Sequence, residues 1–312
     1  MSGLAPLIVV LGPTASGKSA LGIELAKHLN GEVLVCDSTQ IYKHFNIGTG
    51  KVPVAEQKGI AHHLVDLIEP EEIFTAGEYR RRAEEVLGSL RGQGKIPVVT
   101  AGTGLYLRAL LEGLADAPQR SEEIRERLRL IVERRGPERL HRILKRLDPE
   151  TSDRIDVPDT QKTIRAIEIR LLAGKTVGDI YRSGRAPLQG YRIFKIGLAP
   201  PREALYQRIH SRIDAMIQAG WIEEVAALMI SGIPTDAKPF QFIGYSEWKE
   251  FLEGKITKPD AIQKIQQATR RFAKRQLTWF RREPDVHWLS GFGDSNEVFS
   301  AAVAILKSQK SS

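Results

Sequence analysis

Leu7-Ile-Val-Val-Leu-Gly12-Pro-Thr-Ala-Ser-Gly17-Lys18-Ser19-Ala-Leu-Gly-Ile-Glu-Leu-Ala26 is the stretch on which the fold turns. Five consecutive apolar residues predict a strand buried on both faces, as in a parallel sheet. The G-x-x-x-x-G-K-S pattern that follows is a phosphate-binding loop in the context it needs, with a strand before it and an amphipathic helix after it. Gly12, Pro13, Thr14, Ala15, Ser16 and Gly17 are expected to wrap a polyphosphate with backbone N–H groups, and the helix N-terminus faces the same charge. Lys18 would neutralise phosphate oxygens, and the Ser19 hydroxyl is expected to hold Mg²⁺. Loops of this kind bind ATP and other nucleotides, so the loop alone leaves the chemistry open. A hydrolase adds an acid at a second strand end. Asp37 and Asp66 are candidates for it, but the stronger strand Ile96-Pro-Val-Val-Thr-Ala101 runs into Gly102 and Thr103 instead. A pyrophosphate site without hydrolytic apparatus therefore stands beside the hydrolase reading.

Outward from this loop, apolar runs alternate with helical patterns, which predicts an α/β fold: a P-loop NTPase-like parallel sheet with helices on both faces. Strands are expected near Leu7–Leu11, Val33–Asp37, His63–Asp66, Ile96–Ala101 and Tyr191–Leu198, and helices near Lys18–Leu29, Ala76–Arg91 and Thr103–Leu111. Residues 113–190 differ. They are rich in Arg and Glu, poor in β-branched runs and punctuated by helix signals: Ser121 as a cap, Gly136-Pro137 as a break, and Thr160–Leu172 before Gly174. This stretch reads as an inserted all-helical subdomain between core segments 1–112 and 191–312. Further helices are expected at Arg202–Ala219, Trp221–Ile230 and Lys258–Arg282. In the last, Arg270, Arg271, Lys274, Arg275, Arg281 and Arg282 form a basic stripe suited to a phosphate backbone, while Phe272, Gln276, Trp279 and Phe280 occupy another face and read as core.

The net charge of +8 on 312 residues points to a polyanionic partner. One cysteine, Cys36, excludes an internal disulfide and a multi-cysteine zinc site, which fits a reducing cytoplasm. His62-His63 on extended chain point in opposite directions, a poor metal pair. The apolar N-terminus has no basic leader and stops far short of a membrane span. A cytoplasmic, monomeric protein without an obligate protein partner is expected.

Eight ordered motifs then coincide. Gly12–Ser19, Asp37-Ser38-Thr39-Gln40-Ile-Tyr42, Asn46–Thr49, His62–Asp66, Ala101-Gly-Thr103-Gly-Leu-Tyr106, Asp159–Arg165, Ile243-Gly-Tyr245 and Lys274–Trp279 follow one another as in the bacterial tRNA dimethylallyltransferases, which the chain resembles from about residue 6 to 290. The resemblance implies transfer of a dimethylallyl group from dimethylallyl diphosphate to N6 of the adenosine 3′-adjacent to the anticodon of tRNA, with pyrophosphate released. The phosphate loop would then grip a leaving group. It also implies that Asp37, Ser38, Thr39, Gln40 and Thr103 contact the displaced nucleotide, with Gln161, Lys162, Thr163, Ile164 and Arg165. Arg125 matches an arginine that meets the RNA anticodon arm, and Lys274, Arg275, Gln276 and Arg281 would follow the phosphates.

The residues fit that chemistry. Negative charge grows on the departing diphosphate where loop N–H groups, Lys18 and Mg²⁺ would lie. The exocyclic amine is a poor nucleophile, and Asp37 is placed to take its proton, with a magnesium-supporting acid as the other reading. Thr103 is expected to donate toward the bridging oxygen, or to cap a helix. Ala101, Asn46 and Ser246 depart from the residues frequent in the family, and none of them touches the proposed base or the loop. A small-metabolite kinase, a noncatalytic RNA-binding module and a free-nucleotide prenyltransferase are the rivals; the inserted helices and basic C-terminal helix weigh against the last.

Overall fold

The computed structural model describes residues 4–115, 117–182 and 184–310, with side chains to 308. In chain order the elements are β1 (Ala5–Leu11), α1 (Lys18–Leu29), β2 (Gly31–Cys36), β3 (His62–His63), α2 (Ala76–Gly92), β4 (Ile96–Ala101) and α3 (Gly104–Leu111). Next come α4 (Glu122–Leu147), α5 (Pro149–Ser152), α6 (Thr160–Ala173) and α7 (Val177–Arg182). The chain then forms β5 (Tyr191–Leu198), α8 (Arg202–Gln218), α9 (Trp221–Ile230), α10 (Tyr245–Leu252), α11 (Lys258–Phe280), β6 (Val286–Leu289) and α12 (Asn296–Lys310). Two compact units result, residues 1–110 with 189–312, and residues 111–188.

The first unit is built on a six-stranded sheet of order β3-β2-β4-β1-β5-β6, with every pair parallel. Alternation along the strands splits the core. Ile8, Val10, Val33, Val35, Val98 and Phe194 pack with Leu21 and Leu25 of α1 and with Val298 and Ala302 of α12. Close approach of α1 to β4 needs Gly22, where a Cβ would lie 2.4 Å from Thr100 Cγ2. On the opposite face Tyr79 of α2 reaches the Cys36 thiol, whose pKa is pushed up to about 12, chiefly by burial. A second core, around Ile209, Ile213, Trp221, Phe240, Tyr245, Trp248 and Ile265, joins α8, α9, α10 and α11.

The register positions the chemistry. Leu11 and Cys36 both pair with Ala101, so β1, β2 and β4 end level with one another and deliver Gly12, Asp37 and Gly102 to the same carboxyl edge. The strand expected at His63–Asp66 shrinks to His62–His63, because Leu64 and Asp66 take positive φ, 67° and 53°. His63 pairs with Glu32 at 2.5 Å, and His62 Nδ1 lies 2.9 Å from the Ile60 carbonyl. β6, α10 and α12 add to the elements expected from the sequence, with α12 running to Lys310.

In the second unit Ser121 Oγ accepts the Ile124 N–H at the start of α4, and Gly136 (φ 75°, ψ 167°) breaks that helix before Pro137. Leu128, Leu140 and Leu144 pack against Ile164 and Ile167 of α6. At its centre the fully buried Glu168 accepts from Arg125 Nε (2.9 Å) and Nη2 (3.1 Å), Arg165 Nη1 (2.5 Å) and Ser121 N–H (2.8 Å). Burial alone would raise the Glu168 pKa; these donors outweigh it and hold the carboxyl below its ordinary value.

Candidate active site

Gly12 and Gly17 make the phosphate loop sterically feasible. At Gly12 (φ 151°) a Cβ would sit 2.8 Å from the Leu198 carbonyl, and at Gly17 (φ 88°) 2.6 Å from Gly293 N. Residues far along the chain hold the loop in shape. Gly293 N–H donates to the Ser16 carbonyl (2.9 Å), and its neighbour Asp294 accepts both terminal nitrogens of Arg208 at 2.7 Å. From α11, Gln276 Oε1 accepts the Thr14 N–H (2.7 Å) while its Nε2 donates to the Gly102 carbonyl (2.8 Å), tying the loop to the end of β4.

These contacts correct two expectations. The Thr14 amide is a partner of Gln276 rather than a phosphate donor, and Pro13 has no N–H to offer. Gln276, expected on RNA, is buried and has both ends of its amide committed inside the protein. Ser16 is also fully buried, and the orphan amides at the start of α1 remain as donors.

Lys18, Ser19, Asp37, Ser38, Thr39, Gln40 and Arg275 share a cavity of about 390 Å³ with Arg212 of α8. Asp37 is anchored through one oxygen: Oδ1 accepts Thr39 N–H (2.8 Å) and Oγ1–H (2.7 Å). Its Oδ2 lies over Gly102, where a Cβ would approach to 2.2 Å, so only glycine leaves room for the carboxylate. The Lys18 ammonium donates to the Pro13 carbonyl (2.8 Å). Burial lowers its pKa to about 8; Asp37 opposes the shift and Arg212 adds to it. Burial likewise lowers the pKa of Arg212, with Arg208 adding and Asp37 opposing. Among the described residues neither Lys18 nor Arg212 makes an ion pair. Two desolvated cations facing one carboxylate leave the pocket an excess of positive charge that a multivalent anion would satisfy.

The other wall is apolar, formed by Ile213, Met216, Trp221, Phe242, Ile243 and Phe272. Phe272, expected in the core, is half-buried on this wall; Phe280 is core, and Trp279 packs against Gly104 with the Arg108 guanidinium 4.8 Å from its ring. Arg212 is a cavity residue absent from the sequence-derived site. Its signal is an arginine set in the Ile209, Ile213, Met216 stripe of α8, at helical spacing among apolar neighbours.

Thr103 does not line the cavity. Its hydroxyl accepts the Ser38 N–H (2.9 Å) and faces Ser38 Oγ at 3.2 Å, which stitches the ends of β2 and β4 together. Gln40 Nε2 latches the 45–50 loop through the Thr49 carbonyl at 3.3 Å. In the second unit, Thr163 and Ile164 are buried on the core face of α6, so their side chains do not reach a ligand; Gln161 and Lys162 are exposed, the latter paired with Asp159. Arg125 and Arg165 are engaged by Glu168. Arg127, Arg134, Arg135 and Arg139 instead line an open groove of about 340 Å³ beside the Gly136 break. On α11, Arg271, Lys274 and Arg275 are exposed, as is Arg281 just beyond it, whereas Arg270 donates to His210 Nε2 at 2.6 Å.

Residues 40–283 match the model of the IPP transferase family. The chain is similar to the tRNA dimethylallyltransferase of Koribacter versatilis, 48% identical over 305 residues that cover 96% of this chain and 98% of the relative. The tRNA dimethylallyltransferase of Solibacter usitatus is 44% identical over 298 residues, covering 96% and 97%. Among solved structures it is similar to the full-length tRNA isopentenylpyrophosphate transferase of Bacillus halodurans (33% identity, 98% of each chain, TM-score 0.71). It is also similar to a eukaryotic dimethylallyltransferase acting on tRNA (26% identity, 98% of this chain and 79% of the other, TM-score 0.81).

Proposed function

Since the chain belongs to the tRNA dimethylallyltransferase family of IPP transferases, we propose that it transfers a dimethylallyl group from dimethylallyl diphosphate to N6 of the adenosine 3′-adjacent to the anticodon of tRNA, releasing pyrophosphate. The observation that carries this reading is the cavity itself. Lys18 and Arg212, without ion-pair partners among the described residues, lie at a phosphate loop beside an apolar wall and a half-anchored carboxylate. A nucleotide hydrolase has no use for an apolar wall of that kind, whereas an allylic diphosphate has an anionic head and a hydrocarbon tail that match both halves.

In the proposed reaction the first turn of α1, Lys18 and Arg212 stabilise the charge that accumulates on the diphosphate as its C–O bond breaks. Asp37 Oδ2, which has no hydrogen-bond donor among the described residues, takes the N6 proton as the C–N bond forms. Thr39 fixes the carboxylate by holding its other oxygen. Base access requires the adenosine to leave its stack. Ser19 is the protein ligand proposed for Mg²⁺, with Asp37 in the same cavity. The Ser19 hydroxyl and the Asp37 carboxylate are hard oxygen donors in one cavity, a set that suits Mg²⁺ when phosphate oxygens complete it. When bound, Mg²⁺ would supply further neutralisation of the leaving diphosphate.

Exposed Lys274, Arg275 and Arg281 of the first unit are proposed to follow RNA phosphates, and the arginine groove of the second unit is a basic surface of the same chemistry. No described helix is long and apolar enough to cross a membrane, and action as a cytoplasmic monomer completes the reading. The test is incubation of the protein with dimethylallyl diphosphate and an unmodified anticodon-arm RNA, followed by nucleoside mass analysis. An adenosine bearing one isoprenoid unit is expected; its absence at saturating substrate refutes the proposal. Asp37→Ala should lower turnover by about 10²–10⁴ and leave RNA affinity in place.

A further inference from the structure

We propose that Trp221 fixes the length of the allylic chain this cavity accepts, stopping it at one isoprene unit. This rests on the transferase reading above and adds the residue that selects among allylic diphosphates. Trp221 opens α9 immediately after Gly220, whose φ of 93° turns the chain out of α8. It lines the cavity and is only 2% exposed.

The ring has nowhere to move. A Cβ on Gly48 would lie 2.3 Å from its Nε1, and a Cβ on Gly244 would lie 1.9 Å from its Cζ2, so two glycine backbones clamp the indole. Tyr245 and Trp248 meet it edge-on at 6.0 and 6.1 Å between ring centroids. Tyr245 is itself fixed, its hydroxyl donating to Glu224 Oε1 at 2.6 Å and accepting from Gly48 N–H at 3.1 Å. A side chain held this way is a wall that a longer substrate cannot push aside, because close-packed interiors give way only at substantial cost.

Spacing along α8 sets the scale. Arg212, at the anionic end, is followed on the same face by Ile213 and Met216, and four residues of helix rise about 6 Å. A dimethylallyl group extends four bonds from its bridging oxygen, roughly 5 Å since a zigzag chain of bonds near 1.5 Å advances about 1.25 Å per bond. With its diphosphate held by Lys18 and Arg212, such a group ends beside Met216. A geranyl chain adds another four bonds of similar reach and meets the indole beyond the end of α8. The chemical step is the same for either donor: the C1–O bond breaks, the C1–N6 bond forms, the N6 proton passes to Asp37 and diphosphate departs. Discrimination therefore lies in the tail alone.

The experiment measures kcat/KM for dimethylallyl and geranyl diphosphate, each with the anticodon-arm RNA, in the wild-type protein and in Trp221→Phe and Trp221→Leu. The adduct is identified by nucleoside mass. Wild type is expected to favour the five-carbon donor by at least about 100-fold, since even one excess methylene is discriminated by roughly 10–200-fold. Trp221→Leu should shift the ratio toward geranyl by tenfold or more, and Trp221→Phe by less. Equal use of both donors by wild type overturns the proposal, as does an unchanged ratio in variants whose far-ultraviolet dichroism is native. If neither variant folds, the wild-type comparison still decides against it should both donors react equally. Failure of wild type to transfer even the dimethylallyl group refutes the transferase reading instead, so the two failures are distinguishable.

Discussion

Replacing Gln276 with methionine keeps the length of the side chain and removes both of its hydrogen bonds. The Gly102 carbonyl loses its donor from Gln276 Nε2, which is itself buried; leaving such an acceptor unpaired costs about 1–3 kcal/mol. The Thr14 amide is only partly buried and can turn to water from the cavity, so its loss is nearer 0.5–1.5 kcal/mol. The sum is a destabilisation of about 1.5–4.5 kcal/mol, readable in urea unfolding as a lower midpoint with an unchanged slope. Because Thr14 belongs to the phosphate loop, KM for the allylic diphosphate should rise as well. Gln276→Glu separates the two effects. It can still accept from Thr14, but it sets a carboxylate oxygen against the Gly102 carbonyl and adds negative charge beside the anion site, so it should impair diphosphate binding more than Gln276→Met does. Stability within 0.5 kcal/mol of wild type together with an unaltered KM in Gln276→Met would refute the idea that this amide braces the loop.

With the Lys18 pKa near 8 in the free protein, kcat/KM for the diphosphate should fall as pH rises through 8, and a profile flat to pH 10 would contradict this. Stability runs the other way: between about 8 and the ordinary 10.5 the unfolded chain binds the extra proton, so the contribution of Lys18 to stability increases with pH across that window. Glu168→Ala leaves the Arg125 guanidinium buried without its counter-charge and should destabilise the 111–188 unit by about 3–5 kcal/mol, seen as faster amide exchange in α4 and α6. Substituting Lys274 and Arg275 with alanine should reduce the slope of log affinity for RNA against log salt by roughly 1.4–1.8 and leave diphosphate binding to Lys18 and Arg212 largely intact, as measured by RNA and diphosphate titrations across salt concentrations.

Much of the fold was legible because its signals are local. Strand, loop and helix from Leu7 to Leu29 are contiguous, and each residue type there answers to its immediate neighbours. Gly136-Pro137 announced its break for the same reason, through a positive φ that glycine tolerates and a missing N–H. β6 spans only four residues and lies parallel to β5, so its pairing depends on a partner about ninety positions earlier rather than on its own pattern. α10, with eight residues and two buried aromatics, is likewise settled by the core it joins.

Local pattern is enough to place an anion cradle after the first strand, an acid and a threonine at neighbouring strand ends, and a basic helix and an inserted helical stretch elsewhere in the chain. Tertiary structure alone decided what each of these side chains touches. Gln276 meets Thr14 across 262 positions, Gly293 closes on Ser16, Arg212 turns from an apolar stripe into the cavity, and Thr103 ties down Ser38. The physical reason is reach. Periodicity and turn chemistry are set by residues within a helical turn of one another, whereas burial, desolvation and hydrogen-bond completion are set by whichever distant segment the sheet register brings alongside.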